Sequence, residues 1–70
     1  MIRLNGVEFN YRKGMSLAEL VEDYNATRKK IAFDGFVVII NDNAIAPLHA
    51  PEMTLNDGDK IAMIPYVDGG

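Results

Sequence analysis

The segment SLAELVEDYN (residues 16–25) decides the fold, because it predicts the one amphipathic helix in the chain. Ser16 and Glu19 have the spacing of a capping box, in which two side chains satisfy backbone N–H groups that the first helical turn leaves free. The apolar positions i, i+3, i+4 and i+7 are Leu17, Leu20, Val21 and Tyr24. This spacing predicts a single apolar helix face, and one such face can cover only one side of a sheet.

The segments on either side of this helix predict a hairpin and a helix end. In MIRLNGVEFNY (residues 1–11), the Asn5-Gly6 pair is a strong turn signal between two runs that alternate apolar and polar residues, up to Tyr11. The basic cluster RKK (residues 28–30) is more typical of a helix end than of a binding site, because cations are favourable at the carboxyl end of the helix dipole.

The second half of the chain predicts three more strands. FVVII (residues 36–40) is a continuous apolar, β-branched run of strand length, and a short strand is expected around residues 44–46. Residues 60–67 predict the last strand, in which Pro65 lacks a backbone donor. Regular pairing is therefore expected to fade near Ile64, or to leave the proline unpaired on one side.

These elements predict an α+β fold in which a sheet packs against one helix. Strands joined by a helix favour a right-handed crossover in which both run in the same direction, so the sheet is expected to be mixed. Seventy residues provide one small domain and only a modest core.

Composition excludes several classes of function. The formal net charge is −3, which argues against nucleic acid as a partner and favours a basic protein surface. The absence of cysteine excludes disulfides, zinc–thiolate sites and a cysteine nucleophile. No apolar run approaches the roughly 20 residues that a membrane span needs, and no secretory signal is recognisable. We therefore expect a cytoplasmic protein.

Other polar motifs are better explained as loops. His49 is the only histidine and has no serine or carboxylate at a recognisable motif spacing. The segments DGD (residues 57–59) and NDN (residues 41–43) could suggest calcium loops, but neither has the ligand series that ends in a bidentate glutamate. Both are expected to be turns, and no metal site is predicted.

Two strands are apolar on both faces, which indicates a docking surface. Side chains alternate along a strand, and we expect Val37, Ile39, Ala62 and Ile64 to lie on the face that the helix leaves open. These four residues predict an apolar patch that a partner covers. The alternative, equally open at this point, is that the irregular segment of residues 47–55 folds over the same face.

The order of these motifs resembles the ubiquitin-like sulfur carriers of the ThiS/MoaD group. The resemblance rests on IINDNAIAP (residues 39–47), on LNDGDKIAMIPYVDGG (residues 55–70) and on the hairpin and helix that precede them. It implies a β-grasp domain over residues 1–66 and a flexible Gly-Gly tail over residues 67–70. The INDNAIAP segment is more similar to the thiamin-pathway branch, whereas the Ile64-Pro65 step is similar to the molybdopterin branch.

The resemblance also implies a role for the C-terminal residues. The carboxylate of Gly70 would be adenylated by an ATP-dependent enzyme and converted to a thiocarboxylate, so that the carrier is a substrate and not an enzyme. Glycine suits such a stalk because it lacks a Cβ and allows close backbone approach. The residues expected to bind the partner are Ile64, Tyr66, Val67, Asp68 and Gly69.

The implied partners follow from this chemistry. They are an adenylating enzyme of the ubiquitin-activating type (ThiF- or MoeB-like), a sulfur donor such as a cysteine desulfurase, and a sulfur acceptor such as thiazole synthase. No cofactor is bound permanently, since ATP is used by the partner enzyme. Two alternatives stay open: a ubiquitin-like modifier that is conjugated through its C-terminal glycine, and a β-grasp interaction domain whose tail is unused.

Overall fold

The computed structural model describes residues 1–28 and 30–66 and contains five strands and one α-helix in that part of the chain. A short 3-10 turn, Ala50–Glu52, precedes the last strand. The strands and the helix are β1 (Ile2–Leu4), β2 (Val7–Phe9), α1 (Leu17–Thr27), β3 (Phe36–Ile40), β4 (Asn43–Ile45) and β5 (Lys60–Pro65). No helix in the described residues is long and apolar enough to cross a bilayer.

The predicted hairpin is confirmed, and its turn has the expected geometry. Asn5 and Gly6 have φ angles of 51° and 80°, the left-handed pair that a tight two-residue turn requires. Strand β2 ends at Phe9, so the alternation that reached Tyr11 overestimates its length. The Tyr11 hydroxyl instead donates to the backbone carbonyl of Leu55 at 3.2 Å and ties this loop to the far end of the chain.

The helix begins and ends close to the predicted residues. Both halves of the capping box form: the Glu19 N–H donates to Ser16 Oγ at 3.2 Å, and the Ser16 N–H donates to Glu19 Oε1 at 3.2 Å. At the other end, Arg28 is the C-cap residue and its N–H donates to the Tyr24 carbonyl. The last helical turn contains no basic residue, so the basic cluster begins at the cap and not within the helix.

The five strands form one mixed sheet in the order β2-β1-β5-β3-β4. Strands β1 and β5 pair in parallel, and the other neighbours pair antiparallel. Strands β2 and β3, which the helix joins, run in the same direction as predicted, but β1 and β5 lie between them. One helix against this sheet is the ubiquitin-like β-grasp fold, so the predicted fold class is confirmed.

The core lies between the helix and one face of the sheet. Its buried residues are Ile2, Leu4, Met15, Leu17, Leu20, Val21, Val38, Ile40, Ala50, Leu55, Ile61 and Met63. Every predicted residue of the helix face contributes, with Tyr24 partly buried and its ring 6.3 Å from that of Phe9.

The irregular segment after β4 packs on the helix side of the molecule. Within residues 47–55, Ala50 and Leu55 belong to the core, and the Leu17 N–H donates to the Met53 carbonyl at 2.9 Å. The alternative in which this segment covers the second face of the sheet is therefore wrong. Strand β4 begins at Asn43, one residue before the predicted position, because the two-residue turn at Asn41 and Asp42 sets its register with β3.

Candidate partner-docking site

The central strand of the sheet, β5, leads into the C-terminal residues. The predicted site residues Val67, Asp68, Gly69 and Gly70 lie outside the described residues and stay predictions. The structure describes the base of this segment, where Ile64 is 49% exposed and Tyr66 is 70% exposed. Both side chains are therefore accessible to a partner, as their predicted role requires.

Pro65 fits into β5 without losing a hydrogen bond to β3. Pairing continues through this residue, one position beyond the predicted fading near Ile64, with Phe36 opposite Pro65. The Tyr66 N–H donates to the Gly35 carbonyl at 2.8 Å, and the alternation of an antiparallel ladder then makes the Phe36–Pro65 pair a non-hydrogen-bonded one. The missing N–H of the proline would have pointed towards the β1 side, where β1 has already ended.

A side chain completes the pairing of β5 at the point where β1 ends. Strand β1 pairs with β5 only at Arg3–Lys60 and Leu4–Ile61. One step further, Asn5 Oδ1 accepts the backbone N–H of Met63 at 2.9 Å. The hairpin turn therefore anchors the residue that immediately precedes Ile64.

The sheet face opposite the helix carries an apolar surface beside the end of β5. Register places Val37 opposite Ile64, and Ile39 lies between Ala62 and Ala44. We call these five residues the apolar half of the open face. The structure brings together all four residues of the predicted patch and adds Ala44, and no described segment folds over them.

The other half of the open face is charged. Arg3 of β1 lies between Glu8 of β2 and Lys60 of β5, and its guanidinium is 3.7 Å from the Glu8 carboxylate. Asp42 shares a shallow depression of about 390 Å³ with Lys60. We call Glu8, Arg3, Lys60 and Asp42 the charged row. Sequence reasoning missed it, because these residues are neighbours only through strand register.

The turns at residues 41–43 and 57–59 have a structural role, because hydrogen bonds join one to the other. Asp59 is buried and accepts the Asn41 side-chain N–H and the Asn56 backbone N–H, both at 2.8 Å. Asn41 in turn accepts the Lys60 N–H at 3.0 Å. Asn41 and Asp42 have φ angles of 49° and 69°, the conformation of a tight hairpin turn.

The remaining polar candidates do not form a reactive site within the described residues. No three His, Asp or Glu side chains there are close enough together to hold a metal ion. His49 is exposed and precedes the 3-10 turn without a side-chain capping bond. The Asp57 carboxylate accepts a hydrogen bond from the Met1 α-ammonium group at 2.7 Å. This bond and the positive charge of the ammonium group lower the pKa of Asp57 from its ordinary value of 3.8.

Fold and surface together define a small ubiquitin-like protein whose sheet has an open face next to the end of β5. The chain matches the ThiS family over residues 2–70. It is also 31% identical over 70 residues to a protein named sulfur carrier protein ThiS from Thermus thermophilus, with both chains covered in full. The chain belongs to the ThiS family.

Proposed function

We propose that this protein is a sulfur carrier whose C-terminal Gly70 carboxylate is adenylated and then converted to a thiocarboxylate. The observation that carries the proposal is the match to the ThiS family over residues 2–70, a range that includes the Gly69-Gly70 pair. The thiocarboxylate donates its sulfur in cofactor biosynthesis, with the thiazole of thiamin as the product.

The chemistry requires an activating enzyme. A carboxylate is a poor acyl donor until one oxygen becomes a good leaving group. Attack of the Gly70 carboxylate on the α-phosphate of ATP releases pyrophosphate and leaves an acyl-adenylate. The terminal sulfur of a persulfide on the sulfur donor then attacks the acyl carbon and displaces AMP, which leaves an acyl disulfide. A thiol reductant supplies two electrons and cleaves the S–S bond, so that the thiocarboxylate is released. ATP belongs to the partner enzyme, and the carrier contributes only the reacting carboxylate.

The described surface supports a division of labour between the tail and the sheet. Residues 67–70 would enter the partner's active site, with Tyr66 at the entrance. The Tyr66 N–H is held by the Gly35 carbonyl, so the strand keeps its direction up to that residue. The apolar half beside it would rest on the partner enzyme, because an exposed apolar patch is typical of a protein interface.

A second pathway assignment is a carrier for molybdopterin synthesis. The Ile64-Pro65 step favours it, whereas the family match and the similarity to ThiS of Thermus thermophilus favour the thiamin pathway. Transfer from the thiocarboxylate to purified thiazole synthase or to purified molybdopterin synthase distinguishes the two pathways directly.

The experiment that tests the function is intact mass analysis of the carrier after incubation with its ThiF-type enzyme, ATP, a cysteine desulfurase, cysteine and a thiol reductant. We expect one oxygen to be replaced by sulfur in the full chain and no change in a variant that lacks Gly70. The shortened variant should melt like the full chain, because terminal residues contribute little to stability. A thiocarboxylate on the shortened variant would overturn the role of Gly70.

The same samples separate the carrier from a protein modifier. Conjugation through Gly70 would leave an isopeptide-linked remnant on lysines of other proteins and no sulfur on the free chain. A Gly70 that carries neither a thiocarboxylate nor an isopeptide linkage would indicate an interaction domain with an unused tail.

A further inference from the structure

The charged row contains two ions of opposite sign that have no partner among the described residues. Arg3 and Glu8 pair with each other, but neither Lys60 nor Asp42 forms a salt bridge with another described side chain. Both line the same depression, whose other lining residues include Ile39 and Ala62 of the apolar half. The charged row is therefore continuous with the surface proposed to dock the activating enzyme.

The net charge of the protein is not the charge of this face. The chain carries a net charge of −3, but the two cations and two anions of the charged row cancel. Carboxylates outside the row include Glu19, Glu22 and Asp23 of α1, on the other side of the sheet. A partner that docks on the open face therefore meets a pattern of charge and not a uniformly negative field.

We propose that Lys60 and Asp42 fix the orientation in which the carrier docks on its activating enzyme, which presents an acidic group to Lys60 and a basic group to Asp42. This inference rests on the proposed function and identifies the polar part of its interface. The apolar half is non-directional, because hydrophobic contact is preserved when one surface rotates on the other. Two opposite charges that line one depression are directional, since a rotated partner would place like charges together.

Orientation matters because the reacting group of the proposed function is close in sequence to the described domain. Gly70 is four residues from Tyr66, so a rotated carrier would direct its carboxylate away from the bound ATP. The charged row should therefore affect the rate of productive encounter, measured as kcat/KM, and should leave the rate of the chemical step, measured as kcat, unchanged. Rim charges change association rates and their salt dependence more than they change the affinity of the docked state.

The test compares variants that separate local charge from net charge. Lys60→Glu reverses one charge of the row, and Asp42→Asn removes the other while keeping a residue that tolerates a positive φ angle. The matched control is Glu22→Lys on the exposed side of α1, and the double variant Lys60→Glu with Glu22→Lys keeps the net charge at its original value. ATP–pyrophosphate exchange with the purified ThiF-type enzyme gives kcat and KM for each carrier.

If local charge governs docking, Lys60→Glu and the double variant should both lose about three- to tenfold in kcat/KM at low salt, with kcat retained. Asp42→Asn should lose less, and Glu22→Lys alone should lose nothing. The differences should disappear near 1 M salt, where the screening length is about 3 Å.

Two outcomes would overturn this inference while leaving the proposed function intact. If the double variant has the same kcat/KM as the original protein, only net charge matters. If Lys60→Glu alone has that kcat/KM, the charged row lies outside the interface. A carrier whose exchange activity does not depend on Gly70 would instead contradict the proposed function, and the inference would fall with it. Thermal melting of each variant identifies any loss of activity that comes from unfolding.

Discussion

The side-chain oxygen Oδ1 of Asn5 accepts the backbone N–H of Met63 at 2.9 Å, across 58 residues of sequence. Asn5 is also the first residue of the β1–β2 turn, where its φ angle is 51°. One residue therefore has two tasks: it turns the first hairpin, and it supplies the acceptor that β1 is too short to provide. Through this bond the beginning of the chain holds the strand that carries the tail.

The two tasks of Asn5 can be separated by substitution. Asn5→Gly keeps the backbone conformation but removes the acceptor, so we expect a loss of about 0.5–1.5 kcal/mol in unfolding free energy, the usual net value of one hydrogen bond. Asn5→Asp keeps both the acceptor and the tolerance of a positive φ angle, and it should retain most of the stability. Urea denaturation measures both. Equal losses in the two variants would mean that the bond to Met63 contributes little.

Truncation of the central helix residue tests the core. Leu20 is fully buried between α1 and the sheet, so Leu20→Ala should lower the unfolding free energy by roughly 2–5 kcal/mol through lost burial and a residual cavity. In a domain this small, such a loss approaches the whole stability. The control is Glu22→Ala on the exposed side of the same helix, which should stay within about 0.5 kcal/mol of the original protein. A near-neutral Leu20→Ala would contradict the assigned packing.

The contact between Asp57 and the chain's amino terminus predicts a pH dependence of stability. Because the hydrogen bond and charge of the Met1 α-ammonium lower the folded-state pKa of Asp57, the contact stabilises the fold fully above the ordinary value of 3.8. That contribution is lost as the pH falls through the lowered pKa.

Urea midpoints measured over the acid range should therefore fall more steeply for the original protein than for Asp57→Asn. Added salt should reduce the difference, because the pair is exposed and screened by counterions. Parallel curves for the two proteins would show that this contact is not coupled to folding.

Ile64 tests the apolar half of the open face. Ile64→Asp places a charge in the proposed interface, so we expect a loss of roughly 1 kcal/mol or more in docking free energy, as for a central interface residue. The fold should lose less than about 1 kcal/mol, because half of the side chain is already exposed. The measurements are enzyme binding by calorimetry and thermal melting of the free carrier.

Leu48→Asp is the matched comparison for this variant. Leu48 is 83% exposed and lies beyond β4, outside the apolar half, so the same charge change should leave binding unchanged. Normal activation of a folded Ile64→Asp variant would move the docking surface elsewhere and leave only the tail assignment. Unfolding of that variant would mean that Ile64 supports the core.

Local signals in the sequence predicted most of the fold. The Ser16–Glu19 capping box, the Asn5-Gly6 turn and the apolar run from Phe36 to Ile40 each depend on residues close together in the chain, and each forms as expected. Alternation along β3 and β5 also predicted which side chains lie on the open face of the sheet, opposite the helix. These features need no knowledge of how the strands pair.

The features that sequence reasoning missed depend on pairing between distant residues. The Asn5–Met63 bond and the approach of Lys60 to Asp42 follow from the β1–β5 and β3–β5 registers, which spacing along the chain does not reveal. For Pro65 the sequence left two outcomes open, and the strand pairing selects the second, in which the proline is unpaired on the side of β5 that faces away from β3. The sequence also did not show that Ala50 and Leu55 of the irregular segment enter the core, because the two prolines prevent a periodic pattern of apolar residues there.

The position of β5 has a consequence for folding during synthesis. It is the last of the five strands to be synthesised, yet it occupies the middle of the sheet, where it joins β1 to β3. The strand pairs on either side, β1–β2 and β3–β4, therefore cannot join into one sheet until β5 has been synthesised. A nascent chain that stops before β5 lacks the strand that joins the two halves of the open face, so it cannot present that face to a partner.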